Sequence, residues 1–109
     1  MLLRTYIGFN PEELINKQDV VINFEIETDI PRKAMEADEP VDILDDKKIT
    51  KKVIARVQEG RFKLLEVLTQ KILDLIMEDE QVKKAVVEVD KPHALRFAES
   101  VSLKMEASR

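Results

Sequence analysis

Apolar and polar residues alternate most clearly between residues 20 and 28, where every second side chain is apolar. This period of two is typical of a strand with one buried face and one solvated face. The apolar set is Val20, Ile22, Phe24 and Ile26. Less regular patterns of the same kind predict three further strands, over residues 2–9, 84–89 and 100–107.

A period of 3.6 residues predicts two helices between the second and third strands. Residues 49–57 carry the apolar stripe of the first one. Asp45 and Asp46 precede it and can cap its first amides, and Gly60 can end it in the left-handed conformation. A short helix is also expected to open at Pro31 and to run through Ala37.

The second helix, over residues 63–80, has the stronger pattern. Its main stripe consists of Leu64, Leu65, Leu68, Ile72, Leu75 and Ile76. Leu73 and Met77 are expected outside that stripe, and Val21 and Val86 fall on the solvated faces of their strands. Because a small domain buries its surface incompletely, this surplus of apolar positions favours oligomerisation.

The predicted order of elements is β-β-α-α-β-β, without internal repeats or low-complexity linkers. A length of 109 residues suits one domain spanning residues 1–109. Strands at both ends of the chain and helices in the middle favour the α+β class, with two helices packed on one face of an antiparallel sheet.

Composition excludes several kinds of chemistry. The chain has no Cys, a single His and two Gly, so thiol catalysis, a multi-histidine zinc site, a dinucleotide fingerprint and a P-loop are all excluded. Eighteen basic residues against 22 acidic ones give a net charge of −4, which gives no electrostatic case for nucleic acid. No apolar run is long enough to span a membrane, and we expect a cytoplasmic protein without a metal site.

Five residues are candidates for chemistry, although each also has an ordinary structural explanation. Glu66 lies among apolar neighbours on the second helix, yet most helix glutamates are simply solvated. Glu13 and Lys91 lie in a loop and at a strand end, where a lysine beside a rigid proline can transfer protons. His93 and Arg96 follow Lys91 closely, and the three basic groups together could hold a phosphorylated ligand.

Four blocks of sequence carry a resemblance to a known family. They are Arg4-Thr5-Tyr6-Ile7-Gly8, Asn16-Lys17-Gln18-Asp19-Val20-Val21-Ile22-Asn23, Arg61-Phe62-Lys63-Leu64-Leu65-Glu66, and the run from Val89 to Ser102 that contains Lys91-Pro92-His93-Ala94-Leu95-Arg96. With these blocks in this order, the chain resembles the dihydroneopterin aldolase family over nearly its whole length. The last block is similar to the family's epimerase branch.

The resemblance implies a tunnelling fold, in which a four-stranded antiparallel sheet carries two helices on one face. It also implies a homo-octamer of two stacked tetrameric rings, with active sites between neighbouring subunits. The implied substrate is a small pterin, and the implied reaction is a retro-aldol cleavage of the C1′–C2′ bond. The pterin ring itself accepts the electrons, so no cofactor is expected.

The resemblance also assigns roles to individual residues. Glu66 matches the pterin anchor, Lys91 the proton-transferring lysine, and Glu13 the acidic residue that orients the reacting end across the subunit boundary. His93 and Arg96 are hypothetical contacts to a substrate triphosphate. An epimerase acting on C2′ of 7,8-dihydroneopterin triphosphate is the leading interpretation; an aldolase that releases 6-hydroxymethyl-7,8-dihydropterin and glycolaldehyde is the first alternative, and a pterin-binding homologue with little turnover is the second.

One position departs from the family pattern. The family usually has a tyrosine just before the first long helix, where it assists proton transfer to the cleaved intermediate, and this chain has Asp46 there. Asp46 could relay protons with a different pKa or could cap the helix. We favour the cap.

Overall fold

The computed structural model describes residues 1–30, 32–38, 44–92 and 100–109. Five strands are present: β1 (Leu2–Ile7), β2 (Gln18–Thr28), β3 (Arg61–Phe62), β4 (Val82–Pro92) and β5 (Ser100–Ser108). Four helices accompany them: α1 (Pro11–Ile15), α2 (Arg32–Ala37), α3 (Asp46–Glu59) and α4 (Leu65–Met77). The expected α+β class and the short helix through Ala37 are confirmed.

The strands form one sheet in the order β3-β1-β2-β4-β5. The four long strands pair antiparallel, as expected. β3 was not predicted; it runs parallel to β1 and places Phe62 opposite Ile7. Two residues are too few to show a period, and β3 depends on contacts with β1 such as the 2.8 Å hydrogen bond from the Gly8 amide to the Phe62 carbonyl.

The core lies between one face of the sheet and the two long helices. Inward strand residues such as Val20 and Val87 pack against Val53 of α3 and Ile72 of α4, and all four are fully buried. The expectation that Leu73 lies outside the apolar stripe is wrong, because α4 packs against α3 as well as the sheet and Leu73 is only 2% exposed. No helix in the described ranges is long and apolar enough to span a membrane.

The ends of α3 differ from two sequence expectations. Asp45 is the N-cap, since its side chain accepts a hydrogen bond from the Lys48 amide at 3.1 Å. Asp46 is already inside the helix with an exposed side chain, so the cap interpretation of Asp46 is wrong. Gly60 is extended (φ −86°) rather than left-handed, because the chain continues directly into β3. A Cβ on Gly60 would lie 2.3 Å from the Phe62 ring, so this position needs glycine for close packing.

The connection between β1 and β2 was expected to be a loop and contains the short helix α1. Asn10 caps this helix by accepting from the Glu13 amide at 2.8 Å, and the Glu13 carboxylate accepts in return from the Asn10 amide at 3.4 Å. This reciprocal capping box holds Glu13 in one place relative to the end of β1.

Candidate active site

Lys91 and Glu13 lie at the end of the sheet where both β1 and β4 finish. They are 78 residues apart in sequence, and the Lys91 Nζ donates to Glu13 Oε2 in a close ion pair. Only 14% of the lysine side chain and 19% of the glutamate side chain are exposed. Both residues were candidates from the sequence, and the structure joins them within one chain.

Gln18 completes this arrangement and was not singled out from the sequence. Its Nε2 donates to Glu13 Oε2 at 3.1 Å and to the Ile7 carbonyl at 2.7 Å. The second bond ties the amide to β1, so the first one fixes the carboxylate. The signal for Gln18 was present, because it shares the inward side of β2 with Val20 and Ile22. A polar residue at an inward position of a strand usually has a bonded partner.

Gly8 lets the carboxylate lie directly against the backbone. Its φ is +119°, in the region that favours glycine. A Cβ at this position would lie 2.2 Å from the carboxyl carbon of Glu13, so any side chain here would displace the carboxylate. Gly8 is therefore a positioning residue for the Glu13 carboxylate, a role that the composition of the sequence does not indicate.

The environment of Glu13 stabilises its charged form. The hydrogen bond from Lys91 is the main reason that the pKa of the Glu13 carboxyl lies below its usual value. Burial opposes this effect, and the hydrogen bonds from Gln18 and the Asn10 amide add to it. Glu13 is therefore an ionised acceptor near neutral pH, held beside a cationic amine.

Replacing Glu13 with glutamine is expected to lower the free energy of unfolding by about 1 kcal/mol at pH 7 and to have a smaller effect near pH 3. Because the pKa of Glu13 is lowered in the folded protein, its charge contributes stability above the pKa of the unfolded chain. This contribution is lost as the pH falls through the folded value. Urea unfolding followed by circular dichroism at both pH values measures the difference.

The matched control is Glu12→Gln, in the same turn of α1 with an exposed side chain. This variant should lose no more than the roughly 0.5 kcal/mol of a first-turn charge at pH 7, and should unfold like the parent chain near pH 3. An equal loss for Glu13→Gln at pH 7 and pH 3 would contradict a role for the charge.

The other candidate residues lie apart from this pair or outside the described ranges. Glu66 is exposed in the first turn of α4, and within the described residues no hydrogen bond or ion pair joins it to Glu13 or Lys91. Asp46 lies exposed in the first turn of α3. His93 and Arg96 fall outside the described residues.

Comparison with known proteins identifies the family to which the chain belongs. The model of the family described as "FolB: Dihydroneopterin aldolase" matches residues 1–106. The chain is 52% identical to a dihydroneopterin triphosphate 2′-epimerase from Pseudomonas aeruginosa, over 98% of this chain and 86% of that protein. It is 45% identical to the protein of the same name from Escherichia coli K12, over 98% of this chain and 88% of the relative.

Solved structures show the same fold. A putative dihydroneopterin aldolase from Vibrio cholerae superposes with a TM-score of 0.91 at 29% identity, covering 100% of this chain and 92% of the other. The E. coli dihydroneopterin aldolase in complex with neopterin gives 0.88 at 26% identity, covering 98% of this chain and 92% of that one. The tunnelling fold expected from the sequence is thus confirmed.

Proposed function

Because the chain belongs to the FolB dihydroneopterin aldolase family, we propose that it inverts C2′ of 7,8-dihydroneopterin triphosphate, as an epimerase. The observation that carries this proposal is the 52% identity to the P. aeruginosa epimerase over nearly the whole chain. The two solved structures described above, one named as an aldolase and one as a putative aldolase, are only 26–29% identical to it. The family fold is common to both reactions, so the identity favours the epimerase.

The chemistry proceeds by cleaving and re-forming one carbon–carbon bond. Removal of the 2′-hydroxyl proton lets the C1′–C2′ bond break, so C2′ becomes an aldehyde and the bonding electrons enter the pterin ring, where N5 is protonated. The aldehyde then turns, the bond re-forms on its other face, and N5 and the hydroxyl exchange their protons back. The product has the same atoms with C2′ inverted.

The Lys91–Glu13 pair is where we place the proton transfer from the 2′-hydroxyl. Its amine and carboxylate are within hydrogen-bond reach of each other, as an acid–base pair in one site requires. Lys91 releases a proton to solvent, takes up the hydroxyl proton as a neutral amine and later returns it. Glu13 holds the amine and orients the reacting end of the substrate. Gln18 and Gly8 support this pair through the contacts described above.

Glu66 is the proposed pterin anchor. A carboxylate accepts two parallel hydrogen bonds from the 2-amino group and N3 of the ring, in the same way that it accepts a bidentate guanidinium. Its exposure in the single chain leaves it accessible to a ligand. We further propose that the chain works as a cytoplasmic single-domain subunit of an octamer of two stacked rings, with this site at a boundary between subunits.

Product analysis tests the proposal. The purified protein is incubated with 7,8-dihydroneopterin triphosphate and, separately, with dihydroneopterin, and the pterins are separated on a chiral column. We expect a pterin with its side chain intact and C2′ inverted. A shortened pterin with glycolaldehyde as the main product would identify an aldolase instead, and binding without either product would leave a pterin-binding homologue.

A further inference from the structure

A second feature of the molecule lies where α3 ends and α4 begins. A cavity of about 540 Å³ is formed there, within the range of roughly 300–1,000 Å³ that is usual for small-molecule sites. Its apolar part includes Leu64 and Val67, which are 46% and 41% exposed. Its charged part consists of Arg56, Arg61, Lys63 and Lys71.

The charge of this cavity is of one sign. None of its lining residues is acidic, although the chain as a whole has a net charge of −4. Within the residues that the structure describes, no ion pair neutralises Arg56, Lys63 or Lys71. Four cations around one concave surface repel one another, so an anion in the cavity would be stabilised by all of them.

Arg61 is the most strongly fixed of the four cations. Its guanidinium lies 3.9 Å from the centre of the Tyr6 ring, and its Nη1 donates to the Leu14 carbonyl at 3.3 Å. A guanidinium held in this way loses little side-chain entropy when it binds a ligand. The contact with Leu14 also places the cavity beside α1, the helix that carries Glu13.

We propose that this cavity is a binding site for a polyphosphate group. The planar guanidinium groups suit adjacent phosphate oxygens, and the lysines act as point charges around them. If the proposed function holds, the triphosphate of the pterin substrate is one source of this group, because Arg61 contacts Leu14 of α1, and α1 carries Glu13, the residue proposed to orient the reacting end to which the triphosphate is attached. A separate polyphosphate-bearing molecule is the other source.

Calorimetric titration of the full chain with inorganic tripolyphosphate tests the site directly. We expect the double variant Lys63→Ala/Lys71→Ala to bind tripolyphosphate about tenfold more weakly or worse, since it lacks two charge-assisted contacts. Val67→Glu, which adds a negative charge at the same place, should have the same effect. Lys48→Ala/Lys52→Ala removes two exposed lysines of α3 that do not line the cavity, and should bind like the parent chain.

Kinetics then separate the two sources. A higher KM for the triphosphate substrate in Lys63→Ala/Lys71→Ala, with the KM for dihydroneopterin unchanged, supports the substrate tail. Weaker tripolyphosphate binding with both KM values unchanged supports a separate ligand. Unchanged tripolyphosphate binding in both cavity variants overturns the site, as does binding that depends only on Arg96. A chain without turnover refutes the proposed function alone, because the titration needs no reaction.

Discussion

Replacing Lys91 with methionine is expected to lower kcat by about 10²–10⁴-fold while pterin binding is largely kept. Methionine has a similar length and no ionisable group, so it keeps the packing of a side chain that is only 14% exposed and removes the proton transfer. The variant also deprives Glu13 of its ion-pair partner. Steady-state epimerisation of the triphosphate substrate and equilibrium binding of neopterin measure the two effects separately.

A second lysine of the same strand provides the control. Lys84 is also in β4 and pairs with Glu106 at 3.9 Å, far along the strand from Lys91. We expect Lys84→Met to change kcat by less than about twofold, as is typical for an exposed ion pair of little energetic weight. If Lys91→Met kept a kcat close to that of the parent chain, the proton-transfer role of Lys91 would have to be abandoned.

Long elements with a clear period were predictable from the sequence. β2 alternates from Val20 to Thr28 and has the expected inward side, and α3 buries Ile49, Val53 and Val57 as its stripe predicts. The short elements β3 and α1 were not predictable, because two and five residues carry no usable period. Their formation depends on contacts with β1 and on the cap at Asn10.

The candidate site was only partly visible in the sequence. Glu13 and Lys91 could be named one at a time, but their contact depends on a sheet order that brings the end of β1 close to the end of β4. The spacing of residues along the chain does not indicate the order of the strands in the sheet. Gly8 is the clearest example of a residue whose role the sequence does not show. It is important because the carboxylate of Glu13, five residues later, lies against its backbone.

Substituting glutamine for Glu66 is expected to weaken pterin binding by about 100-fold or more. The change replaces one carboxylate oxygen with an NH₂ group, which faces the N–H donors of the ring and cannot accept from them. Hydrogen bonds to a charged group contribute about 1.5–3 kcal/mol each, and every 1.36 kcal/mol corresponds to a factor of ten. The loss of one such bond, together with one mismatched donor, accounts for the expected factor.

The kinetic signature separates the proposed anchor role of Glu66 from the proposed proton transfer at the Lys91–Glu13 pair. Glu66→Gln should raise the dissociation constant of neopterin and the KM, with a smaller change in kcat, whereas Lys91→Met should do the reverse. Glu78→Gln removes an exposed carboxylate at the other end of α4 and should leave both constants unchanged. Because Glu66 is in the first turn of α4, its charge also stabilises the helix by about 0.5 kcal/mol, so the unfolding midpoint of each variant is measured alongside. Pterin affinity that survives in a folded Glu66→Gln protein would remove Glu66 from the site while leaving the Lys91–Glu13 chemistry intact.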